Sequence, residues 1–414
     1  MKLLVISDLH IGDHARSADL CPHTLTPEQL IGRDQNFIGD FETFINNTKT
    51  LSNGVDAILI TGDISNRAHV AEFTLAGKLF SRIAKLLNTT EDNVFFVPGN
   101  HDVHWPVMKL EPKEYWKQHR YGPILDSGVF FRSRSEAAST GNMFKEPYFQ
   151  VWTNEQMCVV GINTASHDNP HEAHHHGLVP QQAIDVLCTH LSGVEGLQNK
   201  LKICLMHHHP IIYSDVIANF ADLSSAANAE NLMSMLAKFS FDMVIHGHKH
   251  NPRLNYQTIN NAHPCLIFGA GSFSSLLDPV NFNGIPNLFH VIEVNGRDQK
   301  TNGIHGKVVS WAYDGQTWSE KIHNSKLPHV EVFGAAVTQH EVIESFKNII
   351  ESEFKSINVL KWPQIIAIAP ILDRVNVNLV WSCLETAAKD LGHEPVGAVS
   401  LAKERWVVLR NDKL

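Results

Sequence analysis

Five short apolar runs, each of strand length and each followed at once by polar residues, frame this chain: Lys2–Ser7, Ala57–Thr61, Val94–Pro98, Leu201–Met206 and Phe241–Ile245. Their apolar, often β-branched composition predicts buried strands. Residues 35–51 and 67–87 read as helices between the first three runs, and this alternation predicts a layered α/β architecture. Phe149–Trp152 and Met157–Ile162 read as paired strands, and Gly177-Leu178-Val179-Pro180 precedes a helix over Gln181–Leu191. A further helix, Asn228–Phe239, leads into the fifth run. Cys265–Phe268 reads as a strand, followed by a tight turn at Gly269-Ala270-Gly271-Ser272. Residues 287–295, 305–313 and 316–322 have the pattern of closing antiparallel strands. Residues 103–147 carry no strand pattern and read as an insertion near the polar ends of the strands. The expected fold is two packed mixed β-sheets flanked by helices, with no internal repeat and no low-complexity segment.

Residues 330–414 form a separate small α/β module in this reading. Thr338-Gln339-His340-Glu341 is a capping-box pattern, and it opens a helix whose apolar face is Val342, Phe346, Ile349, Ile350 and Phe354. Ile365–Ala369 and Trp406–Leu409 read as strands, and a second helix ends near Gly392, a C′ residue. The module holds nine Lys and Arg against eleven Asp and Glu, which argues against a basic nucleic-acid tail. A structural appendix, a surface for a protein partner or self-association, and a cap over substrate entry all fit it.

Length changes the picture little: 414 residues suit a core domain over 1–325 plus the accessory module. No apolar stretch has transmembrane length, and the apolar start is too short for a signal-peptide core, so a cytoplasmic location is expected. The cysteines at 21, 158, 188, 204, 265 and 383 are scattered and form no C-x-x-C pair, which fits reduced thiols. A net charge of −9 gives no general support for nucleic-acid binding.

The residues after the strands carry the chemistry. They are Asp8-Leu9-His10, Gly62-Asp63, Gly99-Asn100-His101-Asp102, His207-His208-His209-Pro210 and Gly247-His248-Lys249-His250. Ligands at strand ends converge on one rim of a sheet, and carboxylate, amide and imidazole donors without thiolate suit hard or borderline divalent ions. In an extended chain Asp8 and His10 would project to the same side. The glycines let the backbone bend and approach a ligand closely. The histidine triplet is ambiguous, since alternation places His208 opposite His207 and returns His209 to the same side further along the turn. Of the 26 histidines, His167, His171, His174, His175 and His176 read as a solvated polar loop, and His104 and Trp105 either line the pocket or begin the next loop.

Taken in order, these blocks resemble the D-x-H, G-D, G-N-H-D, H and G-H-x-H pattern of the calcineurin-like metallophosphoesterase superfamily, over about residues 1–320. The resemblance implies a four-layer α-β-β-α sandwich and a dinuclear centre. Asp8, His10, Asp63 and His250 would hold one ion. Asp63, Asn100, His207 and His248 would hold the other, with Asp63 bridging. Among the triplet, the family's placement of the ligand directly after the strand selects His207. His101 would be a general acid that binds no metal, and Asp102 would orient its neighbours within the catalytic group. The ions would be Mn, Fe, Zn, Co or Ni, with Mn favoured. The implied reaction is phosphoester hydrolysis by a metal-bridging hydroxide. A phosphodiesterase acting on nucleotide-like or other small phosphoesters is the first reading. The alternative is a DNA or RNA nuclease working with a partner protein, since Ser7-Asp8-Leu9-His10-Ile11-Gly12 also resembles the start of repair exonucleases.

Overall fold

In the computed structural model, residues 1–109, 115–116, 119–128, 139–168, 176–213, 224–259, 263–280, 282–399 and 401–411 are described. Strands β1 (Lys2–Ile6), β2 (Ala57–Ile60) and β3 (Val94–Phe96) pair in parallel, as expected of fully apolar runs covered on both faces. Their sheet continues from β1 through β11 (Asn287–Arg297), which is antiparallel to it, to β12 (Ile304–Tyr313) and β13 (Trp318–Ser319). The second sheet runs in the order β4 (Ser139–Asn142), β5 (Phe149–Thr153), β6 (Met157–Ile162), β7 (Leu201–Leu205), β8 (Met243–His246), β10 (His263–Gly269) and β9 (Arg253–Ile259). The four central strands from β6 to β10 are parallel, and the outer pairs are antiparallel.

The sheets face each other, with the Phe95 and Trp152 rings meeting edge to face at 5.6 Å. Helix α1 (Phe37–Asn47) lays Phe41 against Phe289 of β11 at 5.1 Å. Helix α2 (Val70–Leu86) follows β2. Helices α3 (Gln181–Ser192) and α4 (Ala229–Lys238) bury Leu187 and Leu236 in one core with Val160 and Cys204 of the second sheet. The result is two mixed sheets flanked by helices. Parallel strands share a direction, so the chain leaves β1, β2, β3, β7 and β8 at their C-terminal ends into the segments that carry the polar blocks.

Three elements depart from the sequence reading. The stretch 103–147 contains β4, whose Ser-Thr-Gly-Asn composition has no apolar alternation; pairing with β5 makes it a strand. Strand β9 is largely half-exposed and antiparallel to β10 at the sheet edge, where the alternation is weak. Ile365 to Ile368 belong to a helix rather than a strand. Pro363 in its first turn and a 2.8 Å hydrogen bond from Lys361 N–H to Gln364 Oε1 start that helix, which outweighs the apolar run.

The compact unit that holds residues 330–414 also takes in residues 294–308, the outer ends of β11 and β12. It contains β14 (Val330–Phe333), α5 (Gln339–Glu353), β15 (Val359–Lys361), α6 (Trp362–Ile368), α7 (Val377–Asp390), β16 (Glu394–Val396) and β17 (Val407–Leu409). Thr338 caps α5 reciprocally with Glu341, and Phe346, Ile350, Trp362, Leu384 and Trp406 form the core. From α5 onward the order is helix, strand, helix, helix and hairpin, with sheet order β15-β17-β16. That is the connectivity of a winged helix-turn-helix, a scaffold that does not by itself assign an activity.

Glu331 is buried in this unit and accepts hydrogen bonds from Asn376 Nδ2 (2.7 Å), Val332 N–H (3.0 Å) and Val377 N–H (3.3 Å). Burial pushes its carboxyl up to about 7 against the effect of those donors. The folded chain therefore keeps a proton on Glu331 that the unfolded chain releases near pH 4.5, so stability falls as pH rises between 4.5 and about 7. The full change is on the order of 3 kcal/mol. In urea unfolding at pH 5 and pH 8, Glu331→Gln should flatten this dependence. An unchanged slope would show that Glu331 does not cause it.

Candidate metal centre

The segment after β1 does not continue as a strand. Asp8 N–H donates to the Gly62 carbonyl at 3.0 Å, His10 N–H to the Asp63 carbonyl at 2.9 Å and Ile11 N–H to the Ile64 carbonyl at 3.0 Å. This ladder ties the first block to the second. Asp8 and His10 have φ of 50° and 49°, so their shared orientation comes from two left-handed residues and not from extended alternation. Asp63, His248 and His250 are also left-handed, with φ of 50°, 72° and 55°. Such backbone is strained by roughly 1–3 kcal/mol per residue and persists where surrounding structure over-determines it.

Much of that surrounding structure is visible. Ser272 and Ser274 hydroxyls each donate at 2.8 Å to the carbonyls of Asp8 and Leu9. The buried Asp102 carboxylate accepts from the N–H groups of Ile64 (3.1 Å), Ser65 (2.8 Å) and Gly99 (2.8 Å) and from the Ser65 hydroxyl (2.9 Å). It thus staples the second block to the third. Burial and the neighbouring Asp63 push its carboxyl up to about 6 despite these donors. Asp102 is outside both donor groups. Two glycines are required by close approach. Gly62 has φ of +95°, and a Cβ there would lie 2.6 Å from His207 Nδ1. At Gly247 a Cβ would lie 2.8 Å from Asp8 Oδ2 and collide with Ser7 Oγ.

Two groups of donor atoms result, each spanning no more than 4.8 Å: Asp8, His10, Asp63 and His250, and Asp63, His207 and His248. Asp63 belongs to both. Its Oδ2 lies 3.6 Å from His10 Nε2 and 3.4 Å from His207 Nε2. His250 Nε2 is 3.3 Å from Asp8 Oδ1. Asn100 Oδ1 joins the second group, 3.0 Å from His207 Nε2 and 3.2 Å from His248 Nδ1. Ligand atoms about 2.0–2.2 Å from a common ion lie about 3–4.4 Å apart, which matches these separations.

The electrostatics demand positive charge. With Nδ1–H of His207 donating to the Thr61 carbonyl at 2.7 Å, a neutral ring turns its Nε2 lone pair toward oxygen acceptors on Asn100 and Asp63. Facing lone pairs repel unless a proton or a cation lies between them. Without metal, a proton takes that place: burial lowers the His207 pKa, but Asp63, Asp8 and the Thr61 carbonyl together raise it to about 9. Burial raises the Asp63 carboxyl, yet His207 and His101 hold it well below the usual range. Burial and His101 hold His10 down at about 3. His10 Nε2 is buried without a hydrogen-bond partner. Oxygen and nitrogen donors, this unpartnered ring nitrogen and the converging acceptors all fit divalent ions.

Residues 1–252 match the calcineurin-like phosphoesterase family. The chain belongs to that family. A probable cyclic nucleotide phosphodiesterase of Coxiella burnetii is 24% identical over 292 residues, covering 70% of this chain and 92% of that protein. Among solved structures, a purple acid phosphatase from yellow lupin aligns with 13% identity and a TM-score of 0.45, over 77% of this chain and 52% of its own. The chain thus spans about half the length of the lupin protein. The phosphopantetheinyl hydrolase of Mycobacterium tuberculosis aligns with 13% identity and a TM-score of 0.35, over 66% of this chain and 89% of its own.

In this phosphoesterase the histidine triplet divides by contact. His207 reaches the donor cluster. His208 Nδ1 lies 2.9 Å from the Thr164 hydroxyl, and His209 Nδ1 lies 2.7 Å from the Ile211 carbonyl. His101 N–H donates to Asp63 Oδ1 at 2.9 Å, and its Nδ1 is 2.9 Å from the Asn66 carbonyl. Its ring stands edge-on to that of His10 at 4.6 Å. The Trp105 ring lies 6.1 Å from His101, while His104 is outside the donor groups. Of the polar histidine loop, His171, His174 and His175 lie outside the described residues, and His167 Nδ1 meets Ser166 Oγ at 2.9 Å. Sequence reading missed the supports: Thr61, Thr164, Asn66, Ser272 and Ser274. Backbone carbonyls leave no side-chain signature, and isolated serines and threonines are common everywhere.

His207→Ala should weaken manganese binding by more than the roughly 10–100-fold typical of an outer-shell change, and His208→Ala should stay within that range. Isothermal titration of stripped protein measures both. The reverse order would make His208 the donor.

Proposed function

We propose that this phosphoesterase is a phosphodiesterase of small, nucleotide-like phosphoesters, with its chemistry in residues 1–325 and an accessory module in 330–414. The observation that carries the reading is the Asp63 carboxylate shared by two donor groups, with His101 held beside it. Asp8, His10, Asp63 and His250 would hold one divalent ion, and Asp63, Asn100, His207 and His248 the other; manganese is the first to try. Bound there, the ions would supply Lewis acidity and an activated water for in-line attack.

The remaining work falls to side chains. Asn100 contributes a neutral oxygen and so limits negative charge where an anionic diester must bind. The Asn66 carbonyl fixes the His101 ring through Nδ1, leaving Nε2 to hand a proton to the departing alkoxide. Asp102 keeps the Asp63 and Asn100 segments in register. The probable diesterase relative supports diesters over monoesters. A net charge of −9 favours small substrates over a polyanion.

Manganese-loaded protein, with Asp63→Asn as control, should cleave bis-p-nitrophenyl phosphate and cyclic nucleotides faster than p-nitrophenyl phosphate or DNA. His101→Ala should slow cyclic-nucleotide hydrolysis by about 10²–10⁴-fold. It should slow the p-nitrophenyl diester less, because a nitrophenolate leaves without a proton. Equal losses on both would remove His101 from the acid role. Control-sensitive DNA cleavage with no small-diester activity would replace the proposal with a nuclease.

A further inference from the structure

The loop that leaves the centre carries a second kind of donor set. Asp13, Cys21 and His23 bring a carboxylate oxygen, a thiol sulfur and a ring nitrogen within 4.8 Å of one another. His23 Nε2 is 2.7 Å from Asp13 Oδ1 and 3.5 Å from Cys21 Sγ. The sulfur–nitrogen separation matches a tetrahedral edge for Zn–S of about 2.3 Å and Zn–N of about 2.0 Å. The oxygen–nitrogen pair need open only slightly to admit an ion.

Backbone, rather than the three side chains, builds the arrangement. Gly12 N–H donates to the Leu20 carbonyl at 3.0 Å and Cys21 N–H to the Ala18 carbonyl at 3.1 Å, which closes the loop. The Arg33 guanidinium donates to the carbonyls of Asp13 and Ala15. Arg67 lies 3.6 Å from Asp13 Oδ2, leaving Oδ1 to face His23. Asp13 and Cys21 are half-buried and His23 is exposed, so an ion could enter from solvent and keep water as its fourth ligand.

We propose that Asp13, Cys21 and His23 form a third metal site, distinct from the dinuclear centre and suited to zinc. Sulfur is the discriminating donor. Thiolate selects zinc-like ions over manganese, whereas the donor groups of the main centre contain no sulfur. The site lies on the segment that follows His10, so a bound ion would clip that loop shut beside the main centre.

Cobalt(II) reports the site directly, because a cobalt–thiolate bond adds a sulfur-to-metal charge-transfer band that the main centre cannot produce. Stripped full-length protein reloaded with cobalt should show that band and bind one ion per chain beyond those of the main centre. Cys21→Ser should remove the band and the extra ion while the far-ultraviolet dichroism stays native. His23→Ala should also release the extra ion, which keeps the test intact if Cys21→Ser misfolds. Cys188→Ser, at the other partly exposed thiol, should change neither. Cobalt uptake by wild-type protein without the band, or a band that survives Cys21→Ser, would overturn the proposal.

Discussion

Around Asp63, oxygen and nitrogen acceptors from both sheets meet in a buried space where a proton or a cation has to neutralise their repulsion. The rest of the first unit is organised to hold that unfavourable meeting in place. Asp8, His10, Asp63, His248 and His250 sit in left-handed backbone, and Gly62 and Gly247 leave no room for a side chain. Hydrogen bonds to Asp102 and from Ser272 and Ser274 pin the segments that carry Asp63 and Asp8. A cation relieves the repulsion, and positive charge is also what a phosphoester requires. The interaction that the fold has to tolerate is the one the proposed chemistry would use.

Asp102 shows how such a site is kept rigid. Its carboxylate takes donors from the segments after β2 and β3, so Asp63 and Asn100 cannot drift apart independently. Ser272 and Ser274 do the same for the segment after β1. Each pins the backbone on which a donor residue rides. Changes at these positions should act through geometry rather than by deleting a ligand.

Much of this was legible in the sequence because strand ends are. Apolar runs followed by Asp, Asn, His and Gly located all five blocks, and the β–α alternation gave the layered fold. What the pattern could not carry was backbone conformation. Extended alternation would aim Asp8 and His10 the same way, but the ladder to residues 62–64 puts both in the left-handed region. Likewise, β4 owes its existence to its partner, and Ile365–Ile368 formed a helix because Pro363 and Gln364 start one. Cys21 and His23 meet Asp13 only through the turn between them, so scattered cysteines in the sequence concealed a three-donor cluster.

The most direct test of this account is anomalous diffraction from crystals of the manganese-loaded protein. It predicts two peaks about 3.5–4 Å apart, as in two-metal phosphoesterases. One should be bound by Asp8, His10 and His250, the other by Asn100, His207 and His248, with the Asp63 carboxylate touching both. A single peak, or a pair in which Asp63 binds one ion or none, would contradict it.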